Sequence, residues 1–542
     1  MAELSVSEND SIVKSNRILL LYPKNPVTLE EYNFVLPFYK AKAFMQPLAI
    51  ITVAGLIPKR YDLRLVDLNI RDLTDDDLAW ADLVFITGMS IHKNSFDELT
   101  KRCKTAGKIV VAGGPYVTTC HEMVENVDHF VLGEAENLIG QFFSDYEGGT
   151  LRHVYKEPNR EASFADLRET PCPRFDLIDP GNYMMAILQY SRGCPYKCDF
   201  CDVPFWFGNK QRTKTIPQFL EELDGLYKVG WKGVVYVIDD NLITNKNVIE
   251  LFNEIAKWQR ERGFPFKFWA QCTINVSKKP KLLDAMVAAG FQEITCGIET
   301  PVKKSLEETN KLHNTKLDLV EAIDLLHKKG IRVMSGNIVG FDSDPSNVFD
   351  VQTEFIQEAQ LLHNFMGILE APTHTPLFHR LVAENRIVTD FNADSARNHI
   401  NFTPKNGKSW LIAGFLEMVH RVNSPELYFD RCERFILKYD AGSPEKFTTQ
   451  LGLLRRFLIG TIQEPYTKQF LKSSLRILFK KPKGIPKFIE MSIHGYHFHK
   501  MADELTDQLV QTNPEMQELS RIKYPVPVRH KLRDLRSCQE LE

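Results

Sequence analysis

The chain has 542 residues and a mass of 62.4 kDa, with 43% hydrophobic and 25% charged residues. These proportions are typical of a folded globular protein of about three or four domains, and they argue against a disordered or disulfide-stapled chain. The formal charge of −3 gives no reason to expect nucleic acid as a partner. We see neither an apolar run of about 18 residues that would span a membrane nor a secretory signal. We therefore expect a cytoplasmic protein whose ten cysteines are thiols or metal ligands.

The first 150 residues contain five short apolar runs separated by segments with helical periodicity. Strands that alternate with helices predict a parallel, doubly wound, Rossmann-like α/β domain over residues 1–150. Ligands of such sheets bind beyond the carboxyl ends of the strands. The runs are Ile18–Pro23, Leu63–Asp67, Leu83–Gly88, Ile109–Gly114 and His129–Gly133. Three of them end in glycine, which lets the backbone approach a ligand closely.

Residues 151–182 are rich in proline and charge, which indicates a linker. A second alternating series occupies residues 183–395. Its six strand candidates predict a partial (β/α)6 barrel of the TIM type, with the active site at the carboxyl ends of the strands. The candidates are Ala186–Tyr190, Val234–Ile238, Phe266–Ala270, Glu293–Gly297, Val333–Val339 and Met366–Glu370.

Residues 396–542 show no strand–helix alternation and predict a mainly helical domain. Within them, residues 451–500 contain ten Lys or Arg against two Glu. The segment Leu471–Lys481 fits a basic amphipathic helix, which can lie on an anionic membrane surface. The alternative is a helix packed on the barrel with a solvated basic face, which is the ordinary arrangement. A peripheral membrane contact through residues 451–500 is therefore a hypothesis.

Three cysteines, Cys194, Cys198 and Cys201, stand at C-x-x-x-C-x-x-C spacing just after the first predicted barrel strand. One tight loop there can direct all three sulfurs inward, and thiolates suit iron–sulfur clusters or zinc. A structural zinc site normally takes four ligands, but the next cysteine along the chain is Cys272. Three ligands on a four-iron cube would leave one iron open to another molecule. Zinc with a distant fourth ligand, or three incidental buried thiols, are the alternatives.

This motif resembles that of the radical S-adenosylmethionine (SAM) superfamily, which carries it at the end of the first barrel strand. The resemblance implies that Cys194, Cys198 and Cys201 hold a [4Fe-4S] cluster. It also implies that the open iron of this cluster binds the amino and carboxylate groups of SAM. Phe200, the aromatic residue before the last cysteine, matches the family as well and is implied to lie beside the cofactor.

The order of the strands implies five further contacts to SAM. They are Asp239 after the second strand, Gln271 after the third, Glu299 after the fourth, and Gly336 and Gly340 at the end of the fifth. Glu299 falls where the family often contacts the ribose or the amino group. The two glycines match the start of an adenine-contacting G-x-I-x-G-x-x-E pattern, but Ser343 replaces its final Glu, so only the backbone part carries over. Apart from the resemblance, such a carboxylate could equally be a helix N-cap, and such glycines could serve packing.

The N-terminal domain is similar to the cobalamin-binding domain of one large branch of the superfamily. The resemblance places five residues around the nucleotide tail of cobalamin: Met89, Ser90, Gly113, Gly114 and Gly133. The D-x-H-x-x-G motif that supplies a cobalt ligand in many such domains is missing. His92 lacks the surrounding pattern and is interpreted as a solvated or capping residue. Cobalamin would then bind without a protein histidine on the cobalt, unless this chain has lost the cofactor.

The stretch Ala371–Phe378, followed by Leu381 and Arg386, resembles the end of this branch's barrel. The helical C-terminal region is similar to a domain of the hopanoid methylase group, whose enzymes act on unactivated carbons of lipids, and Lys42–Met45 and Asp342–Pro345 fit that group too. This resemblance implies a cobalamin-dependent radical C-methyltransferase with a lipid or other small-molecule substrate. It also implies a reducing partner such as flavodoxin or ferredoxin. The first alternative is a radical enzyme of the same build that catalyses cyclisation, carbon–carbon bond formation or oxidation without methyl transfer. The second is a non-catalytic iron–sulfur protein. With the basic segment 451–500, we expect a cytoplasmic protein that can sit at the inner membrane surface.

Overall fold

A computed structural model describes residues 16–159, 163–388, 400–439 and 447–513. The chain divides into two compact units, residues 1–24 with 49–165 and residues 25–48 with 166–542. The expected end of the barrel at residue 395 lies outside the described residues. The limits of the predicted domains and linker therefore stay predictions.

The strands are β1 (Arg17–Tyr22), β2 (Ala43–Met45), β3 (Asp62–Asp67), β4 (Leu83–Thr87), β5 (Ile109–Gly113), β6 (His129–Leu132), β7 (Val154–Lys156), β8 (Tyr183–Leu188), β9 (Ser191–Arg192), β10 (Arg212–Thr213), β11 (Gly233–Val237), β12 (Phe266–Gln271), β13 (Phe291–Glu299), β14 (Arg332–Val339) and β15 (His363–Ile368). The helices are α1 (Leu36–Tyr39), α2 (Leu48–Leu56), α3 (Asp75–Trp80), α4 (Lys93–Thr105), α5 (Pro115–Cys120), α6 (Ala135–Gly148), α7 (Val203–Phe207), α8 (Ile216–Lys228), α9 (Val248–Glu261), α10 (Pro280–Ala288), α11 (Lys303–Glu308), α12 (Leu319–Lys328), α13 (Val348–Glu358), α14 (Pro376–Ala383), α15 (Lys408–Val422), α16 (Pro425–Lys438), α17 (Phe447–Thr461), α18 (Pro465–Lys480) and α19 (Ile485–Thr512).

The first unit contains a parallel six-stranded sheet in the order β3-β1-β4-β5-β6-β7. Leu20 of β1 lies in register with Leu65 of β3 on one side and Phe85 of β4 on the other. All five residues of β4 are buried, as expected of a strand in a parallel sheet whose two faces are both covered. The five predicted strands are confirmed. The sheet also extends into the predicted linker, where β7 forms the edge strand beside β6.

The second unit contains a parallel seven-stranded sheet in the order β15-β14-β13-β12-β11-β8-β2. The six predicted barrel strands are confirmed, and helices separate them along the chain, so this sheet is the expected partial barrel. The edge strand β2 comes from residues 25–48, where Ala43 and Met45 pair with Tyr183 and Met185 of β8. This short segment lies inside the range predicted for the N-terminal domain, although it belongs to the second unit.

The barrel helices begin and pack as their sequences dictate. Helix α8, for example, starts at a capping box in which Thr215 and Gln218 satisfy each other's backbone N–H groups. Its buried side chains recur at helical spacing, at Phe219, Leu223 and Leu226. A helix anchored in this way fixes the start of the next strand and, with it, the residues at the opposite end of the sheet.

The C-terminal part of the second unit is helical, as predicted. Helix α19 packs against α15, α16, α17 and α18. The hydroxyl of Tyr428 on α16 donates to the carbonyl oxygen of Met491 on α19 at 2.6 Å. The rings of Phe470 on α18 and Phe488 on α19 stack with their centroids 5.7 Å apart. Across the described residues, no helix has both the length and the apolar character needed to cross a bilayer.

Candidate cofactor sites at the carboxyl ends of the strands

The loop that carries the three cysteines follows β8 and is fixed at its start by a glycine. Gly193 has a φ of +94°, and a Cβ there would lie 2.8 Å from the carbonyl oxygen of Lys210 and 2.9 Å from that of Phe207. The next residue, Cys194, donates its backbone N–H to Gly208 at 3.3 Å. Only glycine fits this cradle without moving the surrounding backbone.

Backbone bonds hold the rest of the loop against the barrel. Cys201 donates to the carbonyl oxygen of Cys198 at 3.1 Å, which closes a turn. Between them, Asp199 donates to Thr309 and accepts from the N–H of Leu377, both at 2.9 Å. The loop is therefore tied to the residues after α11 and to the start of α14, which keeps the three thiols in one short, ordered segment.

The electrostatics of these thiols depend mainly on burial. Burial raises the pKa of Cys198 to about 11 and that of Cys201 to about 12, and the nearest thiol of the motif adds to each shift. Without a bound cation these groups stay protonated, whereas metal binding deprotonates them. Three soft donors in a protected loop have the chemistry that an iron–sulfur cluster requires. In the described residues no three His, Cys, Asp or Glu side chains are placed to hold one metal ion.

Two carboxylates after β11 support this loop from beneath. Asp239 is fully buried, and it accepts hydrogen bonds from the N–H of Tyr190 at 2.7 Å and from the hydroxyl of Ser191. Asp240 accepts from the N–H of Gly193 at 2.7 Å. Burial raises the pKa of Asp239 to about 7 and that of Asp240 to about 6. The structure thus places Asp239, predicted as a cofactor contact, where it positions the cysteine loop.

Two further polar residues, neither of them predicted as a cofactor contact, complete the support. The amide nitrogen of Asn241 lies 3.9 Å from the sulfur of Cys194. Gln211 donates to the hydroxyl of Ser191 and to the carbonyl oxygen of Asn241, both at 2.8 Å. Asn241 directly follows Asp239 and Asp240 at the end of the second barrel strand. Gln211 lies in a connecting segment with no sequence signal.

A buried ion pair occupies the end of β13. Glu299 has a φ of +63°, which is uncommon for a residue with a side chain, and its carboxylate contacts the ammonium of Lys311. A Cβ on Gly297 would collide with the carboxylate oxygen of Glu299 and the ammonium of Lys311, so these side-chain ends would have to shift to make room for it. Gly336 lies beside Gly297 in the register of β14. The predicted residues Glu299 and Gly336 are therefore brought together.

Lys311 links this ion pair to the cysteine loop and was not predicted. Its ammonium lies 5.5 Å from the ring centroid of Phe200. Burial lowers the pKa of Lys311, but the Glu299 carboxylate and the Cys198 thiol raise it by more, so its pKa is raised overall. The charged lysine thus sits among the predicted Phe200, Glu299 and Cys198, on a segment where a lone lysine gives no sequence signal.

The remaining predicted SAM contacts lie on two other strand ends. Gly340 and Phe341 donate their N–H groups to the carboxylate of Asp344, at 2.8 and 3.0 Å, which fixes the turn after β14. Asp344 was not predicted, and burial raises its pKa to about 6. Gln271 ends β12 beside Thr295 of β13 and is exposed. No contact joins Gln271 to the Glu299 pair.

The first unit has its own pocket at the carboxyl ends of β4, β5 and β6. Apolar side chains line it, including Val53, Val131 and Ile139, together with the predicted Gly113, Gly114 and Gly133. A Cβ on Gly133 would meet no atom within 4 Å, so that position is open. The structure therefore brings three of the five residues predicted for the cobalamin tail into one cavity.

The other residues after β4 lie outside the lining of that pocket. Met89 is 53% exposed and Ser90 is half-buried. His92 is buried, and its ring nitrogen accepts the N–H of Met89 at 2.9 Å. Burial lowers the pKa of His92 to about 4. It therefore has the capping role suggested from the sequence, although it is not solvated.

A parallel half-barrel with three thiols in one loop at its carboxyl ends agrees with the architecture that the radical SAM resemblance implies. The family model of the radical SAM superfamily matches residues 188–347, and a model for a domain of unknown function, DUF4070, matches residues 375–511. The chain is 33% identical to the uncharacterized methyltransferase sll1242 of Synechocystis sp., over 89% of this chain and 91% of that protein. It is 32% identical to hopanoid C-2 methylase of Rhodopseudomonas palustris, over 77% of this chain and 79% of that protein.

Solved structures show the same fold. One is the cobalamin-dependent SAM radical enzyme OxsB with aqua-cobalamin and SAM bound. The alignment covers 97% of this chain and 83% of the OxsB chain, with a TM-score of 0.59 and 16% sequence identity. Another is the radical SAM methyltransferase TsrM of Kitasatospora setae. Its alignment covers 70% of this chain and 76% of the TsrM chain, with a TM-score of 0.54 and 14% sequence identity. The expected fold class is confirmed. The chain belongs to the radical SAM superfamily, in the branch of hopanoid C-2 methylase, and is a radical SAM enzyme.

Proposed function

We propose that this enzyme is a cobalamin-dependent radical SAM C-methyltransferase that acts on an unactivated carbon of a lipid-like, hopanoid-type substrate. The observation that carries the proposal is its kinship with hopanoid C-2 methylase across most of both chains. The kinship with a second methyltransferase across nearly the whole chain supports transfer of a methyl group. We further propose a cytoplasmic location and a small reducing partner of the flavodoxin or ferredoxin type.

The cysteine loop would hold a [4Fe-4S] cluster through Cys194, Cys198 and Cys201. When bound, the cluster supplies the electron that cleaves SAM, and cobalamin supplies the methyl group that is transferred. The residues of the chain position these groups. Asp239 and Asp240 fix the start of the loop, in which Cys198 is buried and Cys194 and Cys201 are half-buried.

The ion pair beside the loop would receive the amino-acid end of SAM. A carboxylate and an ammonium side by side complement the ammonium and carboxylate of an amino acid. Glu299 would accept from the amino group or a ribose hydroxyl, and Lys311 would balance negative charge near Phe200. The paired glycines Gly297 and Gly336 leave space next to these groups. Gln271 and Gly340 stay proposed contacts on the neighbouring strand ends.

Two aromatic side chains and one methionine sulfur lie on the barrel strands near this site. The hydroxyl of Tyr236 donates to that of Thr295 at 3.2 Å, and Thr295 lies 3.8 Å from the sulfur of Met334. The ring of Trp269 lies 6.3 Å from that of Tyr236. These side chains lie on the adjacent strands β11 to β14 and would limit access of water to a radical reaction.

The glycine-lined pocket of the first unit would take the nucleotide tail of cobalamin. Its lining is apolar, which suits a flat aromatic base, and Gly113, Gly114 and Gly133 let the backbone approach it closely. Met89 and Ser90, which follow β4 outside the lining of this pocket, stay proposed contacts. His92 is buried and bonded to the backbone, so it offers no lone pair to cobalt.

The proposal is tested with protein purified anaerobically with cobalamin, then supplied with reductant, a hopanoid and SAM carrying a labelled methyl group. Mass spectrometry should find one labelled methyl group in the hopanoid. A second candidate, radical chemistry without methyl transfer, is favoured by a relative at 22% identity over 69% of this chain, the anaerobic magnesium-protoporphyrin IX monomethyl ester cyclase of Synechocystis sp.. SAM cleavage accompanied by an unlabelled product would favour that candidate and contradict ours.

A further inference from the structure

The surface of α18 has an unusual composition for a helix on a folded protein. Its inner face is buried against α16 and α19 through Tyr466, Phe470 and Ile477. Its outer face nevertheless carries four large apolar side chains that are about half or more exposed. They are Leu471 at 48%, Leu475 at 57%, Leu478 at 50% and Phe479 at 84%. The ordinary arrangement, with a solvated basic outer face, therefore describes only part of this helix.

A row of cations lies next to these apolar side chains. Lys468, Lys472, Arg476 and Lys480 follow one another at intervals of four residues, which places them along one side of the helix. The chain from residue 465 to 489 contains seven Lys or Arg and no Asp or Glu. Arg476 contacts Glu433 of α16 at 3.2 Å. Among the described residues, the lysines at 468, 472 and 480 have no ion-pair partner.

Helix α17, which packs against α18, adds to the exposed apolar surface. Leu451 and Ile459, eight residues apart and so on one side of α17, are 56% and 68% exposed. Ile462, just after the helix, is 68% exposed. Apolar side chains concentrated in two neighbouring helices mark an interaction surface rather than scattered surface residues.

We propose that α18, with α17 beside it, docks the protein on an anionic lipid bilayer. Apolar side chains next to a row of cations are the pattern of helices that lie in the membrane interface, where lysine stems reach along the apolar layer to the phosphates. A second copy of the chain fits this surface poorly, because a symmetric contact would set the cations against themselves. This inference is independent of the proposed methyl transfer and assigns a role to part of the region of unknown function.

The test is flotation of the full-length protein with vesicles of phosphatidylcholine alone or with about one third phosphatidylglycerol. The protein should float with the anionic vesicles, and high salt should weaken the binding. Phe479→Ser and Lys472→Glu should each lower the partition coefficient roughly tenfold, through loss of apolar insertion and of phosphate attraction. The matched controls are Leu325→Gln, at a site 39% exposed on α12, and Lys257→Glu on the exposed side of α9. Both should bind as the unaltered protein does.

Two further measurements separate loss of membrane docking from loss of folding and from loss of the radical chemistry. The thermal midpoint should stay unchanged in Phe479→Ser, because an 84% exposed side chain contributes little to packing. Cys198→Ala should bind vesicles normally, so a failure of the radical chemistry would not be mistaken for a failure of docking. Absence of flotation, or equal flotation of the α18 variants, would overturn the proposal. So would light scattering that shows a dimer lost in Phe479→Ser without vesicle binding.

Discussion

The carboxylate of Glu299 meets the ammonium of Lys311 directly over Gly297, at the end of the fourth barrel strand. Glu299 adopts a left-handed backbone conformation to make this contact. Such a conformation costs about 1–3 kcal/mol and persists where the surroundings enforce it, often at a binding site. Lys311 of the pair lies beside Phe200 of the cysteine loop. The pair therefore connects the end of β13 with the cysteine loop, the two parts of the proposed SAM site.

Lys311→Met should weaken both folding and SAM binding. Removing one partner of a buried ion pair leaves a buried carboxylate without its counter-charge, which costs about 3–5 kcal/mol in unfolding free energy. Lys329→Met is the matched control, because it breaks the exposed pair with Asp284 and should cost at most about 1 kcal/mol. Urea denaturation and calorimetric titration with SAM measure the two effects. Equal stability of both variants with unchanged SAM affinity would show that the pair has neither role.

Gly193→Ala should prevent assembly of the cluster. The added methyl group would press on the carbonyl oxygens of Lys210 and Phe207 and displace the cysteine loop. Gly230→Ala is a matched control, since Gly230 has a similar φ of +88° but no atom within 4 Å of the added carbon. Iron content after anaerobic reconstitution should fall several-fold in the first variant only. Full iron loading of Gly193→Ala would mean that the loop does not depend on this cradle.

Ala135→Trp should lower the amount of cobalamin that co-purifies with the protein. Ala135 lines the pocket at the strand ends of the first unit, and an indole ring there would fill it. Ala106→Trp places the same side chain on the exposed end of α4 and should leave cobalamin content unchanged. Absorbance spectra of the two purified variants give the comparison. Unchanged cobalamin in Ala135→Trp would move the proposed tail site elsewhere.

The C-terminal helices should lose stability in mild acid. His497 is buried against Tyr32 and hydrogen-bonded to the carbonyl oxygen of Leu29, and burial lowers its pKa to about 3. Below about pH 6.5 the unfolded chain binds a proton that folded His497 excludes, so the free energy of unfolding falls as the pH drops toward 3. The loss approaches about 1.4 kcal/mol per pH unit for this group. His497→Gln should therefore show a shallower decline between pH 6.5 and 4.5, and an identical slope would disprove the assignment.

The fold was largely predictable because parallel strands buried on both faces leave continuous apolar runs in the sequence. Strand β2 was missed for a physical reason, since its three residues have no readable period and its partner β8 lies about 140 residues later. Strand β7 was missed for the same reason, because it also has only three residues. Pairing between distant segments depends on three-dimensional packing that a local pattern does not contain.

The site residues that belong to a sequence motif or follow a predicted strand could be predicted. Isolated side chains in connecting segments could not. The three cysteines, Glu299 and the glycines of the first unit stand at strand ends that the sequence marks. Lys311 and Asp344 lie in connecting segments and reach the site only because the chain folds back. The carboxylate of Asp239, a predicted cofactor contact, is held by the N–H of Tyr190 and the hydroxyl of Ser191, and no spacing in the sequence reveals these two hydrogen bonds.

We propose that Cys194, Cys198 and Cys201 hold a cluster that cleaves SAM. The most direct measurement is 5′-deoxyadenosine formation by anaerobically reconstituted protein with dithionite and SAM, together with its iron content. The unaltered protein and Cys120→Ala, which changes a half-buried cysteine of the first unit, should contain about four irons per chain and release 5′-deoxyadenosine. Cys198→Ala should lose both the iron and the product. Undiminished cleavage of SAM by Cys198→Ala would show that Cys198 does not hold the cluster that cleaves SAM.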